Sequence, residues 1–223
     1  MTKTTAWHNQ EEKKFMYEDI ATKVWQDEDV FREQLTLNIK ELHQPIDLYP
    51  GHWLEFIQAM DSIVKPSINY NLLDVGCGCG PYIKLCQRYD NVKYHGTDFS
   101  SGAIAVAKET WGSPSSFSIG DYKQLSKNSL KDIDILHLGA VLDVLHDGDE
   151  ALRFILDLDM EHLILGRVFL TDGESRAYTI KAYLGKTFVR YEHNRDNFYL
   201  ELNKRNLTYT EVGSTFYIRK NNE

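Results

Sequence analysis

Several features that mark other classes of protein are missing from this sequence. No apolar run approaches the roughly 20 residues that cross a membrane, and the start MTKTTAWHNQEEKKF lacks the apolar core of a secretory signal. The three cysteines are odd in number and crowded at positions 77, 79 and 86, so they cannot form a disulfide framework. These absences predict a cytoplasmic protein without a membrane span.

Basic charge is also scarce. The chain has 25 Lys and Arg against 33 Asp and Glu, which gives a formal net charge of -8. A nucleic-acid-binding protein needs a basic surface that neutralises phosphates, so the composition argues against nucleic acid as a partner. With 223 residues, 42% of them hydrophobic, the chain can form one globular domain. The composition does not indicate an oligomeric state.

Apolar periodicity divides this predicted domain, residues 1–223, into four segments. Residues 1–66 have helical spacing and predict an N-terminal helical cap. Short strands and helices alternate over 68–170, ending in a strand over 162–170, which predicts a parallel sheet with helices on both faces. Residues 171–193 predict a hairpin turning at Gly185-Lys186 in a type II′ turn, a flap on the substrate side of the sheet. Residues 194–223 predict a helix capped by Asn194 and a final hairpin.

The stretch LLDVGCGCGP (72–81) links the first strand of the sheet to a helix. Cys77 and Cys79 are one residue apart with no second pair, whereas structural zinc sites prefer wider spacing, so we predict no metal. A redox pair stays open as an alternative to two small side chains that fill space. The three glycines allow positive φ and a close approach of the backbone to a ligand at a helix N-terminus, which suits part of a nucleotide-like cofactor.

Two acidic residues extend this pattern. Asp98 ends the second predicted strand, 24 residues after Asp74, and an acid at such a distance commonly holds ribose hydroxyls. Asp121 ends the third strand, where a carboxylate can accept from an adenine amino group. The spacing GxGxG differs from the dinucleotide pattern GxGxxG.

Taken together, these motifs resemble the class I S-adenosylmethionine-dependent methyltransferases. The resemblance is carried by LLDVGCGCG (72–80), the acid in GTDFS (96–100), GDYKQL (120–125) and DILHLGAVLDVLHD (134–147). It implies a Rossmann-like α/β fold with a seven-stranded, mostly parallel sheet and a reversed terminal strand. A looser likeness over 163–198 is to uncharacterised methyltransferases associated with cell-surface polysaccharide genes, although DMEHLILG replaces that family's usual Gly-Gly before the fifth strand.

The resemblance also implies where S-adenosylmethionine binds. The turn faces the amino-acid end of the cofactor, the second strand holds the ribose, the third strand holds the adenine, and the end of the fourth strand lies near the sulfonium. The predicted cofactor-binding residues are Asp74, Gly76, Cys77, Gly78, Gly80, Asp98, Phe99, Asp121, Tyr122, Ala140 and Val141.

Methylation of a hydroxyl also needs a group that accepts its proton. Candidates at the expected ligand edge of the sheet are Asp143, His146, Arg167 and His193 as catalytic residues, and Tyr49, His52, Arg167 and Arg195 as substrate-binding residues. Other interpretations stay open: a helix-start carboxylate at 143, a solvated histidine at 146 and an internal ion pair at 167. Residues 167–195 hold six basic and three acidic residues, which fits either an anionic substrate or a solvated hairpin face.

The interpretation we favour is O-methylation of a sugar or glycan precursor. A nicotinamide-dependent oxidoreductase shares the strand, glycine turn and ribose carboxylate, although the spacing and the final hairpin count against it. A catalytically silent cofactor-binding scaffold is the third possibility.

Overall fold

The computed structural model describes the backbone of residues 5–221 and the side chains of residues 12–113 and 115–221. The first four residues of the predicted cap and the last two of the chain lie outside this range. The helices within it are α1 Thr5–Trp25, α2 Glu28–Leu42, α3 Gly51–Ile63, α4 Tyr82–Cys86, α5 Ser101–Trp111, α6 Gly148–Asp157 and α7 Arg195–Lys204. The strands are β1 Tyr70–Val75, β2 Val92–Asp98, β3 Phe117–Ile119, β4 Ile135–Leu138, β5 His162–Leu165, β6 Leu170–Thr171, β7 Arg176–Ala182, β8 Lys186–Asn194, β9 Leu207–Val212 and β10 Thr215–Lys220.

Seven of these strands form one sheet in the order β3-β2-β1-β4-β5-β10-β9. The pairs among β1 to β5 are parallel, whereas β10 runs antiparallel to both β5 and β9. This is the Rossmann-like α/β sheet with a reversed terminal strand that the resemblance implied, and the prediction is confirmed. The other three strands, β6, β8 and β7, form a small second sheet.

Alternate side chains of the large sheet pack into two hydrophobic cores, one on each face of the sheet. Leu72 and Ile135 pack with α3, α4 and α5 on the first face. Leu73 and Leu136 point the other way and pack with α6 and α7. Because consecutive strand residues face opposite sides, these nearly continuous apolar strands are what a sheet covered on both faces requires.

Local capping signals set several element boundaries, among them the predicted cap at Asn194. Ser100 accepts a hydrogen bond from the Ala103 N–H and begins α5, and Asn194 accepts one of 2.8 Å from the Asn197 N–H and begins α7. Gly213 has a φ of +59° in the two-residue turn between β9 and β10.

The structure corrects two predictions. The strand expected over 162–170 ends at Leu165, because Gly166 packs against the backbone of Gly139 and Arg167 takes a left-handed φ of +57°. The flap is a hairpin, but residues 183–185 form its connection and Ala182 pairs with Lys186, so the two-residue type II′ turn is wrong. Two consecutive left-handed residues, Leu184 and Gly185, make this turn instead.

In the part of the chain that the structure describes, no helix has the length and apolar character needed to span a bilayer. The cytoplasmic location and the division of the chain at residues 66, 170 and 193 stay predictions from the sequence.

Candidate active site

The turn between β1 and α4 depends on glycine at three places. Gly76, Gly78 and Gly80 all have φ between +53° and +73°, a region that other residues enter only with strain. A Cβ added to Gly76 would lie 2.4 Å from Cγ2 of Val141, so the backbone here packs directly on the segment that follows β4. The turn is therefore fixed by close packing as well as by conformation.

Asp98, at the end of β2, holds this turn in place. One carboxylate oxygen accepts the Gly78 N–H at 2.9 Å, and the other accepts the Ser100 N–H at 2.8 Å. Burial raises the pKa of Asp98, and the two backbone hydrogen bonds act against that rise. Each oxygen keeps a lone pair, so the carboxylate can accept further hydrogen bonds from a ligand.

A cavity of about 260 Å³ opens beside this carboxylate, and we call it the Asp98 cavity. Its walls come from the turn, from the ends of β2, β3 and β4, and from the two N-terminal helices. Tyr122 and the segment after β4 form one end of it. The residues that the sequence placed at the cofactor and that line this cavity are Gly76, Gly78, Asp98, Phe99, Asp121, Tyr122, Ala140 and Val141.

Three buried polar atoms of residues that line the Asp98 cavity have no hydrogen-bond partner among the described residues. They are Nε1 of Trp25, Nε2 of His146 and Oδ1 of Asp147. Asp121 also lines this cavity, but its Oδ1 accepts the Lys123 N–H at 2.9 Å. Because buried polar groups are nearly always satisfied, the three open atoms indicate that the cavity meets a polar ligand.

A second cavity, of about 320 Å³, adjoins the first, and we call it the Arg167 cavity. Residues of α2 and α3, the β1 end, the segment after β4 and the β7–β8 hairpin line it. Its aromatic walls are Trp25, Trp53, Tyr82, Tyr183 and Phe188. The two cavities share the residues Trp25, Gln34, Gly76, Gly78, Ala140 and Val144, so a ligand in one can reach a ligand in the other.

An ion pair crosses the floor of the Arg167 cavity. Nε and Nη2 of Arg167 both lie 3.2 Å from Oδ2 of the fully buried Asp143. Burial raises the pKa of Asp143, while Arg167 and Arg190 oppose that rise. Oδ1 of Asp143 has no partner in the described part of the chain, so it is an open hydrogen-bond acceptor.

His52, at the start of α3, also lines the Arg167 cavity. Burial, with a smaller contribution from the nearby charge of Arg167, lowers the pKa of His52 to about 4. The imidazole is therefore neutral at pH 7, and a neutral imidazole can accept a proton.

Asp74 faces the Arg167 cavity beneath the turn. Its two oxygens accept from the Tyr94 hydroxyl at 2.7 Å and pair with Nδ1 of His137 at 2.8 Å. Nε2 of His137 is buried without a partner among the described groups, and the ring lies against Tyr82 and Phe56. The strand histidine therefore fixes the orientation of the acid that begins the glycine turn.

Comparison with known proteins agrees with this arrangement. Residues 72–158, which run from β1 to the end of α6 and contain the turn, Asp98 and Asp143, match the model of the methyltransferase domain family. Residues 72–158 are therefore a methyltransferase domain, and S-adenosylmethionine is the cofactor of that domain. No curated protein matches the sequence. The nicotinamide and silent-scaffold alternatives are set aside.

Solved structures share the fold of this methyltransferase. A SAM-dependent methyltransferase from Methanosarcina mazei is 15% identical, with a TM-score of 0.54 over 72% of this chain and 96% of that one. Magnesium protoporphyrin IX methyltransferase from Synechocystis, solved with bound SAH, is 16% identical, with a TM-score of 0.52 over 76% of this chain and 84% of that one. At these identities the matches establish the fold and not the acceptor.

The residues of the Asp98 cavity fit S-adenosylmethionine. The carboxylate of Asp98 can accept from ribose hydroxyls, and the open atoms of His146 and Asp147 can meet the polar edge of an adenine ring beside Tyr122. From there the shared residues Ala140 and Val144 lead into the Arg167 cavity. That the adenosine part binds in the Asp98 cavity stays a prediction.

The structure distributes the remaining predicted residues unevenly. Cys77, Asp74, Asp143, Arg167 and His52 line the Arg167 cavity, and His146 lines the Asp98 cavity. Gly80 packs against Phe117 behind the turn. Three residues line neither cavity: Tyr49 packs on Trp53, His193 pairs with Asp149 at 2.6 Å, and the exposed Arg195 pairs with Asp172 at 2.9 Å.

The cysteines are free thiols. All three are buried, and burial raises the pKa of Cys79 to about 12 and that of Cys77 well above its ordinary value. A thiol that stays protonated is a poor nucleophile and a poor redox centre, so the space-filling interpretation fits best. Among the described residues, no group of three or more His, Cys, Asp or Glu side chains is placed to hold a metal ion.

Sequence reasoning missed some residues that line the cavities. Trp25 and Gln34, from the N-terminal helices, contact both cavities, and Arg190 comes from β8. The spacing of these residues indicates only an amphipathic helix or strand and does not indicate that they line a cavity. The basic excess over 167–195 was the one clue to Arg190.

Proposed function

We propose that this methyltransferase methylates a hydroxyl oxygen of a small sugar or glycan precursor held in the Arg167 cavity. The observation that carries the proposal is the wall shared by the two cavities, with His52 on the lining of the second cavity. Bound S-adenosylmethionine supplies an electrophilic methyl group on a sulfonium. An acceptor in the adjoining cavity would lie next to that end of the cofactor.

The size and lining of the Arg167 cavity favour a small, polar ring. Its volume of about 320 Å³ is at the lower end for small-molecule sites, which range from roughly 300 to 1,000 Å³. Sugar rings have apolar C–H faces and polar hydroxyl edges. Aromatic walls suit the faces, while Asp143 and His52 suit the edges.

His52 is the proton acceptor in this proposal. An oxygen nucleophile must lose its proton as the bond to carbon forms, and a neutral imidazole nitrogen can take that proton. Oδ1 of Asp143 accepts a hydrogen bond from a second hydroxyl and so orients the ring. Correct alignment of the reacting oxygen can supply roughly 7–11 kcal/mol of the rate enhancement.

One wall of the cavity, which we call its roof, consists of aromatic side chains from α1 and from the β7–β8 hairpin. Trp25 packs edge-on against Phe188 at 5.0 Å between ring centroids and against Tyr183 at 6.2 Å. Lys186 of the hairpin pairs with Asp27 at the start of α2, which ties the hairpin to the N-terminal helices. The roof thus joins two segments far apart in sequence.

The direct test is an acceptor screen. The protein is incubated with S-adenosylmethionine and sugars, glycan precursors, amines, phenols and carboxylic acids, and S-adenosylhomocysteine is quantified while products are identified by mass spectrometry and NMR. We expect a methyl ether on a sugar oxygen. Turnover confined to nitrogen or carbon acceptors would refute the proposal.

His52→Gln tests the proton acceptor, with His43→Gln, a change of an exposed histidine at the end of α2, as the matched control. We expect His52→Gln to lower kcat by roughly 100-fold or more, the usual contribution of a general base. The affinity for S-adenosylhomocysteine should change little, and the control should retain normal turnover. An unchanged kcat in His52→Gln would remove this residue from the reaction.

A further inference from the structure

Arg190 differs from the other basic residues of the hairpin region. Arg176 pairs with Glu192 at 2.9 Å, Lys186 pairs with Asp27, and Arg195 pairs with Asp172. Arg190 is half-buried and lines the Arg167 cavity, yet it has no ion pair or side-chain hydrogen bond within the described residues. Burying a charge without a partner costs free energy, so a bound anion would stabilise this guanidinium.

Arg167 brings a second guanidinium to the same place. Its left-handed φ of +57° is a strained conformation for a residue with a side chain. Both arginines lie against one ring, with the Cζ atoms of Arg190 and Arg167 at 4.2 Å and 5.9 Å from the centroid of Phe169. The strained backbone therefore places Arg167 against the same ring as Arg190, and both residues line one cavity.

The carboxylates nearby do not neutralise both arginines. Asp143 bonds Arg167 through one oxygen only. Asp74 is hydrogen-bonded to Tyr94 and His137. Outside the cavity, Glu192 accepts from Arg176 and from the Tyr178 hydroxyl. None of these three carboxylates is hydrogen-bonded to Arg190.

We propose that the acceptor carries an anionic group, a carboxylate or a phosphate, which binds between Arg167 and Arg190 in the Arg167 cavity. This inference rests on the proposed function in that it takes the Arg167 cavity as the acceptor site. Guanidinium groups present paired N–H donors that match both kinds of anion. The anion sits at the hairpin side, and the ring extends towards the shared wall at Ala140 and Val144.

The test measures binding to the intact protein loaded with S-adenosylhomocysteine. Glucose, glucuronate and glucose 6-phosphate are matched probes that differ in charge and in the kind of anion, and each is titrated by calorimetry or ligand-observed NMR. We expect at least one anionic probe to bind at least tenfold more tightly than glucose, and the stronger of the two identifies the anion. Equal binding of all three, or no binding of either anionic probe, would overturn the inference.

Variants locate the binding. Arg190→Gln should abolish the preference for the anion, Arg190→Lys should restore part of it, and Arg176→Gln, a change of an exposed arginine in the same hairpin, should leave it intact. The affinity for S-adenosylhomocysteine, measured in each variant, shows that the fold is retained. An anion preference that survives Arg190→Gln would contradict the assignment.

The two proposals fail separately. Anion-selective binding with methylation at nitrogen or carbon would refute the oxygen acceptor and leave the anion site standing. Methylation of a neutral sugar, at a rate that Arg190→Gln does not alter, would refute the anion site and leave O-methylation standing.

Discussion

The two adjoining cavities differ in how the chain brings their lining residues together. The Asp98 cavity is built around one turn and the ends of neighbouring parallel strands, which converge on one edge of the sheet. The Arg167 cavity combines side chains from α2, α3, the segment after β5 and the β7–β8 hairpin, which lie more than a hundred residues apart along the chain.

This difference matches the two ligands, because the cofactor is common to a large family and the acceptor is specific to one enzyme. The Asp98 cavity relies on backbone conformation and one carboxylate, which suit a cofactor common to a large family. The Arg167 cavity relies on charged and aromatic side chains outside the glycine motif, which suit one acceptor. Changes in the first cavity should therefore affect cofactor binding, and changes in the second should affect acceptor use.

The largest effect is expected from Gly76→Ala. Left-handed strain and the clash with Val141 together cost roughly 2–5 kcal/mol of stability, and binding of S-adenosylhomocysteine should fall below detection. Gly112→Ala is the matched control, because Gly112 has a φ of +61° and nothing within 4 Å of the added Cβ. Urea unfolding and calorimetry measure both quantities. Normal cofactor affinity in Gly76→Ala would break the comparison.

Asp98→Asn should have the next largest effect. Loss of a charge-assisted hydrogen bond to a ligand costs roughly 1.5–3 kcal/mol, so the affinity for S-adenosylhomocysteine should fall about 10- to 150-fold. Asp143→Asn, in the other cavity, should leave that affinity within a few-fold and lower acceptor turnover. Calorimetry with S-adenosylhomocysteine measures the cofactor affinity of both variants. Equal losses of affinity would contradict the claim that one cavity binds the cofactor and the other binds the acceptor.

A smaller effect concerns acid stability. Because the pKa of His52 is lowered to about 4 in the folded chain from its ordinary value of 6.5, the unfolded chain binds a proton at this site between these pH values and the folded chain does not. The free energy of unfolding should therefore fall as the pH drops through this window. His52→Gln should reduce that fall, as measured by urea unfolding at several pH values. An identical pH dependence in the variant and the wild type would contradict the neutral imidazole.

The sheet and the turn could be predicted because their signals are local. Glycines at 76, 78 and 80 follow an apolar strand, Asn194 caps its own helix, and Gly213 makes its own turn. Parallel strands then bring the ends of β1, β2 and β3 to one edge without further information. The predicted ribose and adenine residues accordingly lie on the wall of one cavity.

The Arg167 cavity could be predicted only in part because its contacts span long separations. Arg167 was expected inside a strand, but close packing of Gly166 on Gly139 ends that strand and turns the arginine onto Asp143. Arg195 and His193 have the residue types of a substrate site, yet each finds a carboxylate partner elsewhere. No local sequence pattern distinguishes these two residues from Arg190, which has no carboxylate partner among the described residues.

The most direct test of this division is a crystal structure of the protein with S-adenosylhomocysteine. We expect the adenosine between Asp98 and Tyr122, the homocysteine sulfur at the shared wall near Ala140 and Val144, and an open space lined by His52, Arg167 and Arg190. Adenosine bound against the two arginines, or a sulfur far from the shared wall, would contradict this division.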